Sequence, residues 1–145
     1  MKFLVQRVKN ASVSVDEKEI SKIDNGFLVF IGIGKDDTLN EADYLVNKLL
    51  NLRIFEDENM KMNKNIMQVN GSLLLVSQFT LYADTTSGNR PSFTNAKDPK
   101  EANDIYEYVI KKCKEKVENV KTGIFGADMK VSLLNDGPVT IMLER

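Results

Sequence analysis

Ser72-Leu73-Leu74-Leu75-Val76-Ser77-Gln78-Phe79-Thr80-Leu81 opens as an unbroken aliphatic run and then turns polar without a single charge. Behind the turn former Gly71, that run predicts a strong strand over 72–81. At its end stand two hydroxyls, an amide and an aromatic ring. Polar groups so placed are hydrogen-bonded or used, because leaving one buried and unpaired costs about 1–3 kcal/mol. On composition alone a satisfied sheet edge is the plainer reading.

Working outward, Phe3, Val5 and Arg7 alternate with Leu4, Gln6 and Val8, and Val13 and Val15 are separated by serine, which predicts a strand pair near residues 2–16. Asn25-Gly26 has hairpin-turn composition and is expected to separate Glu19–Ile23 from an apolar strand over Phe27–Ile33. Thr38 and Glu41 have capping-box spacing ahead of Ala42, Leu45, Val46, Leu49 and Leu50, so a helix is expected over about 39–51. A second helix is capped by Asp98, with Pro99 at its first position; Ala102, Ile105, Tyr106, Val109, Ile110, Cys113 and Val117 form its apolar stripe. A short strand at Arg53–Phe55, a turn through Asn63-Lys64-Asn65 and a long polar loop over 84–98 complete the middle. Strands near 119–123 and 128–134 lead to a turn at Asp136-Gly137-Pro138 and a last strand, Val139–Leu143. The fold class is α/β: one domain, residues 1–145, with largely antiparallel sheet, barrel-like or two-layered, and two helices packed on one side.

The chain has 145 residues, 42% hydrophobic and 28% charged, an ordinary globular composition. Its longest apolar run, Phe27–Ile33, falls far short of the ~20 residues that cross a bilayer, so no membrane role and a cytoplasmic location are expected. The lone Cys113 cannot form an internal disulfide and reads as core. A net charge of −1 supplies no global field for nucleic acid, so any RNA contact has to be local. Histidine is absent, which excludes Ser-His and Cys-His nucleophile pairs and histidine bases. No cofactor and no metal are expected.

Other motifs have simple readings. Gly32-Ile33-Gly34-Lys35 lacks the spacing of a phosphate loop and reads as a strand exit. The lysines at 111, 112, 114 and 116 interleave with Glu115 in the manner of a solvated helix face. Asp136-Gly137-Pro138 alone is consistent with an ordinary turn.

In combination, the motifs say more. Arg7-Val8 with Ala11 and Val13, Ser77-Gln78-Phe79-Thr80-Leu81 with Ala83-Asp84, Gly88-Asn89-Arg90-Pro91-Ser92-Phe93, Phe125-Gly126-Ala127 with Met129, and Asn135-Asp136-Gly137-Pro138-Val139-Thr140 stand in this order along nearly the whole chain. Together they resemble the D-aminoacyl-tRNA deacylase family. One departure is Met60, where many relatives are expected to carry glycine.

The resemblance implies an enzyme that hydrolyses D-amino acids from the 3' end of tRNA, a chiral proofreading step. It implies a homodimer in which Gly137-Pro138, joined by a cis peptide, crosses into the partner's site as a chiral wall beside Ser77, Gln78, Phe79 and Thr80. Such a wall excludes side chains and so cannot reject glycine, which extends the expected activity to glycyl-tRNA. Thr80 as nucleophile would need a base; the favoured alternative is a substrate-assisted reaction, with the ribose 2'-hydroxyl helping water and backbone amides near Phe79 and Thr80 receiving the oxyanion. Ser77 and Gln78 are assigned to positioning. Phe79, Phe125 and Met129 are candidates for packing the terminal adenosine, with plain core as the other reading for Phe125 and Met129. Arg90 is a candidate for an RNA phosphate or a structural ion pair. Rival classes are a non-catalytic tRNA-end binding module and a small-molecule esterase or amidase.

Overall fold

The computed structural model describes residues 1–145, and its first strand, β1, runs unbroken from Lys2 to Val15. The strand pair expected over 2–16 is therefore one long strand. The reversal comes at Asp16-Glu17, which take φ values of 49° and 62°. Two left-handed residues in succession match the twist of a tight hairpin, although neither is the usual glycine or asparagine. From there β2 (Lys18–Ile23) and β3 (Gly26–Gly32) return along β1.

Asn25-Gly26 is not a hairpin turn. Ile23 pairs with Ala11 and Gly26 with Val8, so the chain crosses 24–25 without losing step and β2 and β3 lie end to end against β1. Glycine is needed at position 26 for another reason: a Cβ there would sit 1.9 Å from the carbonyl oxygen of Ser72.

Helix α1 (Leu39–Asn51) follows, begun by the expected capping box: Glu41 accepts from the Thr38 amide at 2.7 Å, and Thr38 Oγ1 accepts from the Asn40 amide. A small hairpin, β4 (Phe55–Glu56) with β5 (Met62–Lys64), comes next, so Asn63 and Lys64 are strand rather than turn. Its tip carries Met60 at φ 59°, a conformation glycine adopts freely, and the turn is kept by Asp57, whose amide donates to Lys61 and whose carbonyl accepts from Met60.

Strand β6 spans Ser72–Ser77 and lies parallel to β3. The expected strand over 72–81 thus ends at Ser77, and Phe79–Tyr82 wind into a 3₁₀ turn. Helix α2 (Pro99–Lys114) starts with Asp98 accepting from the Lys100 amide, and β7 (Val120–Thr122) returns parallel to β6. Each parallel pair is bridged by a crossover containing a helix, as parallel pairing requires. The remaining pairs are antiparallel.

The last strand, β8 (Lys130–Glu144), occupies the other edge of β1. It is one strand, not two strands joined by a reversal at Asp136-Gly137-Pro138. Between the pairs Gln6–Thr140 and Val8–Asn135, the single residue Arg7 faces the four residues 136–139. That excess forces a bulge.

The main sheet therefore reads β8, β1, β3, β6, β7, with β2 continuing β3, and Ser21 Oγ donates to the Thr122 carbonyl at 2.6 Å to draw β2 toward β7. The sheet curls into a nearly closed barrel. Successive residues point to opposite faces, so Leu73 and Leu75 join a core of 26 residues under both helices, while Leu74 and Val76 join a second core of seven inside the curl. Double-sided burial explains why Leu73–Val76 is apolar without interruption. Each such side chain contributes about 1.5–3 kcal/mol on leaving water. Cys113 is buried, and burial pushes its thiol up to about 12, which fits the expected core role. No helix is long and apolar enough to cross a membrane.

Candidate active site

Where β6 ends, the chain opens a cavity of about 650 Å³. Ser77, Gln78 and Phe79 form one edge; Phe93 comes from the long loop, and Phe125 and Met129 come from the segment after β7. Five of the residues expected at the site are thus brought together by tertiary structure. Phe79 remains 55% exposed and meets Phe93 edge to face at 5.0 Å.

The local chain explains the arrangement. Tyr106, on the apolar stripe of α2, donates its hydroxyl to the Leu75 carbonyl at 2.8 Å, and the Gly123 amide donates to the same oxygen at 3.0 Å. These bonds hold the end of β6 against the 123–129 segment. Burial raises the Tyr106 phenol above its ordinary value, so it stays a proton donor. Phe125 rests on Tyr106, with ring centroids 5.9 Å apart, and Met129 packs on Gly123, where a Cβ would come within 2.5 Å of its sulfur. Both side chains line the cavity and also lean on a core, so the two readings of them are not exclusive.

At the 3₁₀ turn, the Gln78 amide donates to Ile31 at 2.8 Å and the Leu81 amide closes the turn onto Gln78 at 3.3 Å. The amides of Phe79 and Thr80 precede that first closed turn and have no partner within it. Thr80 Oγ1 is hydrogen-bonded by the Gln78 side-chain amide. Thr80 itself is exposed and lies outside the cavity lining.

The charged residues around the cavity are all engaged. Lys97 Nζ donates to the Lys35 carbonyl at 2.8 Å and pairs with Glu101, Asp98 caps α2, and Asp128 pairs with Lys130. Asp84, nearby in the loop, accepts from the amide and hydroxyl of Thr86, and these bonds hold its carboxyl below the usual range. An acid so stabilised is a poor proton donor at neutral pH. No three His, Cys, Asp or Glu side chains converge as a metal would require.

Arg90 does not line the cavity and makes no ion pair within the chain, which leaves the structural ion-pair reading without a partner. Its loop is closed by reciprocal 2.8 Å backbone bonds between Asp84 and Ser92.

Gly137 and Pro138 do not line their own chain's cavity either. They form the exposed crest of the β8 bulge, and their peptide bond is cis. The residue that holds this bulge was not singled out from the sequence for that role. Arg7 is 4% exposed; its Nε donates to the Asp136 carbonyl at 2.9 Å and one terminal nitrogen donates to the Ile54 carbonyl at 2.5 Å. Across the bulge, Asn135 accepts from the Val139 amide at 2.7 Å and donates to Thr140 Oγ1 at 3.0 Å. A signal was available: Arg7 continues the inward phase of Phe3 and Val5, where a guanidinium requires buried carbonyl or carboxylate partners.

A family model described as D-Tyr-tRNA(Tyr) deacylase matches residues 4–144. The D-aminoacyl-tRNA deacylase of Clostridium novyi (strain NT) is 55% identical over 144 residues, covering 99% of this chain and 97% of its own. That of Haemophilus influenzae (strain 86-028NP) is 56% identical over 140 residues, covering 97% of this chain and 96% of its own. A solved structure named c-Myc DNA Unwinding Element Binding Protein superimposes with a TM-score of 0.95 at 43% identity, covering 100% of this chain and 99% of that one. A probable eukaryotic D-amino acid tRNA deacylase, with a TM-score of 0.84 at 16% identity and coverage of 98% and 97%, shares the fold. With the matched motifs spread over the whole length, the chain belongs to the D-Tyr-tRNA(Tyr) deacylase family.

Proposed function

We propose that this protein hydrolyses the ester linking a D-amino acid to the 3' end of tRNA, as chiral proofreading in translation quality control. The observation that carries the reading is the cavity opening on Ser77–Phe79, apolar at Phe125 and Met129 and edged by Phe79, whose amide, like that of the next residue Thr80, precedes the first closed turn. The terminal adenosine packs against Phe125 and Met129, Ser77 and Gln78 orient the ester, and the amides of Phe79 and Thr80 receive the developing oxyanion. The neighbouring ribose 2'-hydroxyl assists the attacking water. Thr80 is not the nucleophile, because its bonded neighbour is the Gln78 amide group, which is no base at neutral pH.

Selection for the D enantiomer comes from Gly137 and Pro138 of a second copy. The bulge is exposed, absent from its own cavity, and carried on an outer strand whose Leu133, Leu134 and Met142 are also exposed. A long outer strand with exposed apolar side chains favours pairing with another chain. The wall works by exclusion, so glycyl-tRNA is also cleaved.

Release of amino acid from D-tyrosyl-tRNA, L-tyrosyl-tRNA and a free D-tyrosine ester tests the reading. Selective release from D-tyrosyl-tRNA is expected, with glycyl-tRNA cleaved under the same conditions. Binding of the tRNA end without release would mean a binding module, and equal hydrolysis of the free ester would mean a small-molecule esterase. Intact glycyl-tRNA beside cleaved D-tyrosyl-tRNA would remove pure exclusion as the basis of selection.

A further inference from the structure

The 3₁₀ turn is exposed on its substrate side at Phe79 and Thr80, yet its other side is tightly seated. Gly32 and Gly34, the strand exit with no phosphate-loop spacing, form the seat. A Cβ on Gly32 would come within 2.9 Å of Leu81 Cβ, and one on Gly34 would come within 2.7 Å of the Tyr82 ring. Lys2 Nζ donates to the Leu81 carbonyl at 3.3 Å and lies 4.9 Å from the Tyr82 ring centroid.

Asp37 stands at the centre of this seat. Its Oδ2 accepts from the Gly34 amide at 2.5 Å and from the Tyr82 hydroxyl at 3.1 Å, while its Oδ1 accepts from the Met1 nitrogen at 2.6 Å. The carboxylate is only 11% exposed, so little water competes for these bonds. Burial and then the nearby carboxylate raise the Tyr82 phenol, keeping it a donor. One side chain therefore joins the start of β1, the exit of β3 and the end of the turn.

We infer that Asp37, acting through the Tyr82 hydroxyl, is a positioning residue for deacylation that fixes where the Phe79 and Thr80 amides point. The inference rests on the assignment of those amides to the oxyanion. Such donors act at about 2.7–3.1 Å from the developing charge and tolerate only a few tenths of an ångström of displacement, so loosening the turn slows the chemical step more than binding.

Tyr82→Phe removes the link while keeping the ring on Gly34 and leaving Asp37 its bonds to Gly34 and Met1. It is expected to lower kcat on D-tyrosyl-tRNA about tenfold with KM within about twofold, and to speed hydrogen exchange at the amides of Leu81 and Ala83, which close the turn onto Gln78 and Thr80. Asp37→Asn should do the same, and the double variant should fall no further than the more severe single, as expected for two groups in one link. Tyr108→Phe is the control: it deletes a comparable 2.8 Å hydroxyl bond, to Asp43, outside the cavity lining, and should change neither readout. Unchanged kcat and exchange in Tyr82→Phe, or equal changes in Tyr108→Phe, would overturn the inference. Should Asp37→Asn fail to fold, Tyr82→Phe decides alone. A wild-type protein without deacylase activity would sink the proposed function instead, and the exchange measurement would still decide whether Asp37 and Tyr82 hold the turn.

Discussion

Arg7→Met separates the bulge from the strand that holds it. Methionine fills much of the space of the arginine stem but leaves the carbonyls of Asp136 and Ile54 without their guanidinium donors. Hydrogen bonds from a charged group contribute about 1.5–3 kcal/mol each, and a buried acceptor left unpaired costs a comparable amount. The Asp136 carboxylate, 3.8 Å from Arg7 Nε, keeps Lys9 at 3.2 Å and, being 31% exposed, adds little to the loss. The total is about 3–5 kcal/mol, or roughly 10 °C in melting temperature for a domain of this size. Arg7→Lys should fall between the two, since a single ammonium cannot serve two carbonyls in the geometry of a fork.

The functional effect is separable from stability. With Asn135 and the exposed Lys9–Asp136 pair as its remaining side-chain braces, the bulge should wander, and the ratio of D- to L-tyrosyl-tRNA hydrolysis should fall about tenfold, equivalent to about 1.4 kcal/mol of discrimination. Urea melts give the stability term; initial rates on the two tRNAs, measured well below the melting point, give the selectivity term. An Arg7→Met protein that melts within about 2 °C of the parent and keeps its enantiomer ratio would refute the argument that Arg7 holds the bulge.

Thr80→Ala should retain measurable turnover, whereas D-tyrosyl-tRNA ending in 2'-deoxyadenosine should react far more slowly; single-turnover assays with both would reverse the mechanism if the variant were dead and the deoxy substrate active. Arg90→Glu should weaken tRNA binding without altering the melt, because Arg90 has no ion pair to lose. Binding isotherms across a salt series should show a shallower slope for that variant, and an unchanged slope would remove Arg90 from the phosphate contacts.

Features whose causes are local were legible in the sequence. Thr38, Glu41, Asp98 and Pro99 start their helices where capping chemistry puts them, and the stripe from Ala102 to Cys113 buries as its spacing requires. Misreadings arose where the cause lay elsewhere in the chain. Gly26 looks like a turn residue but is glycine because the Ser72 backbone passes against it. Gly137-Pro138 looks like a reversal but is a bulge, because Arg7 alone faces four residues. The hairpin at Asp16-Glu17 has no glycine or asparagine to mark its two left-handed residues. At the site, Ser77, Gln78, Phe79, Phe125 and Met129 share one cavity, while Thr80, Arg90, Gly137 and Pro138 lie outside its lining. No local rule could have shown that Asp37 and Gly34 support the same turn.

That division of the site has a consequence for assembly. If cavity and bulge act together only across two chains, a cavity-defective variant such as Gln78→Ala and a bulge-defective variant such as Arg7→Met should complement each other. In a random mixture half of the dimers are mixed, and each mixed dimer pairs one intact cavity with one intact bulge from the other chain. About a quarter of all sites then regain both parts. D-tyrosyl-tRNA hydrolysis with selectivity over L-tyrosyl-tRNA should therefore recover to about that fraction after co-refolding, although neither variant alone is both active and selective. The same recovery should vanish when the mixture is diluted until the chains sediment as monomers. Selective activity in a monomeric fraction would show that Gly137 and Pro138 are not supplied by a second copy.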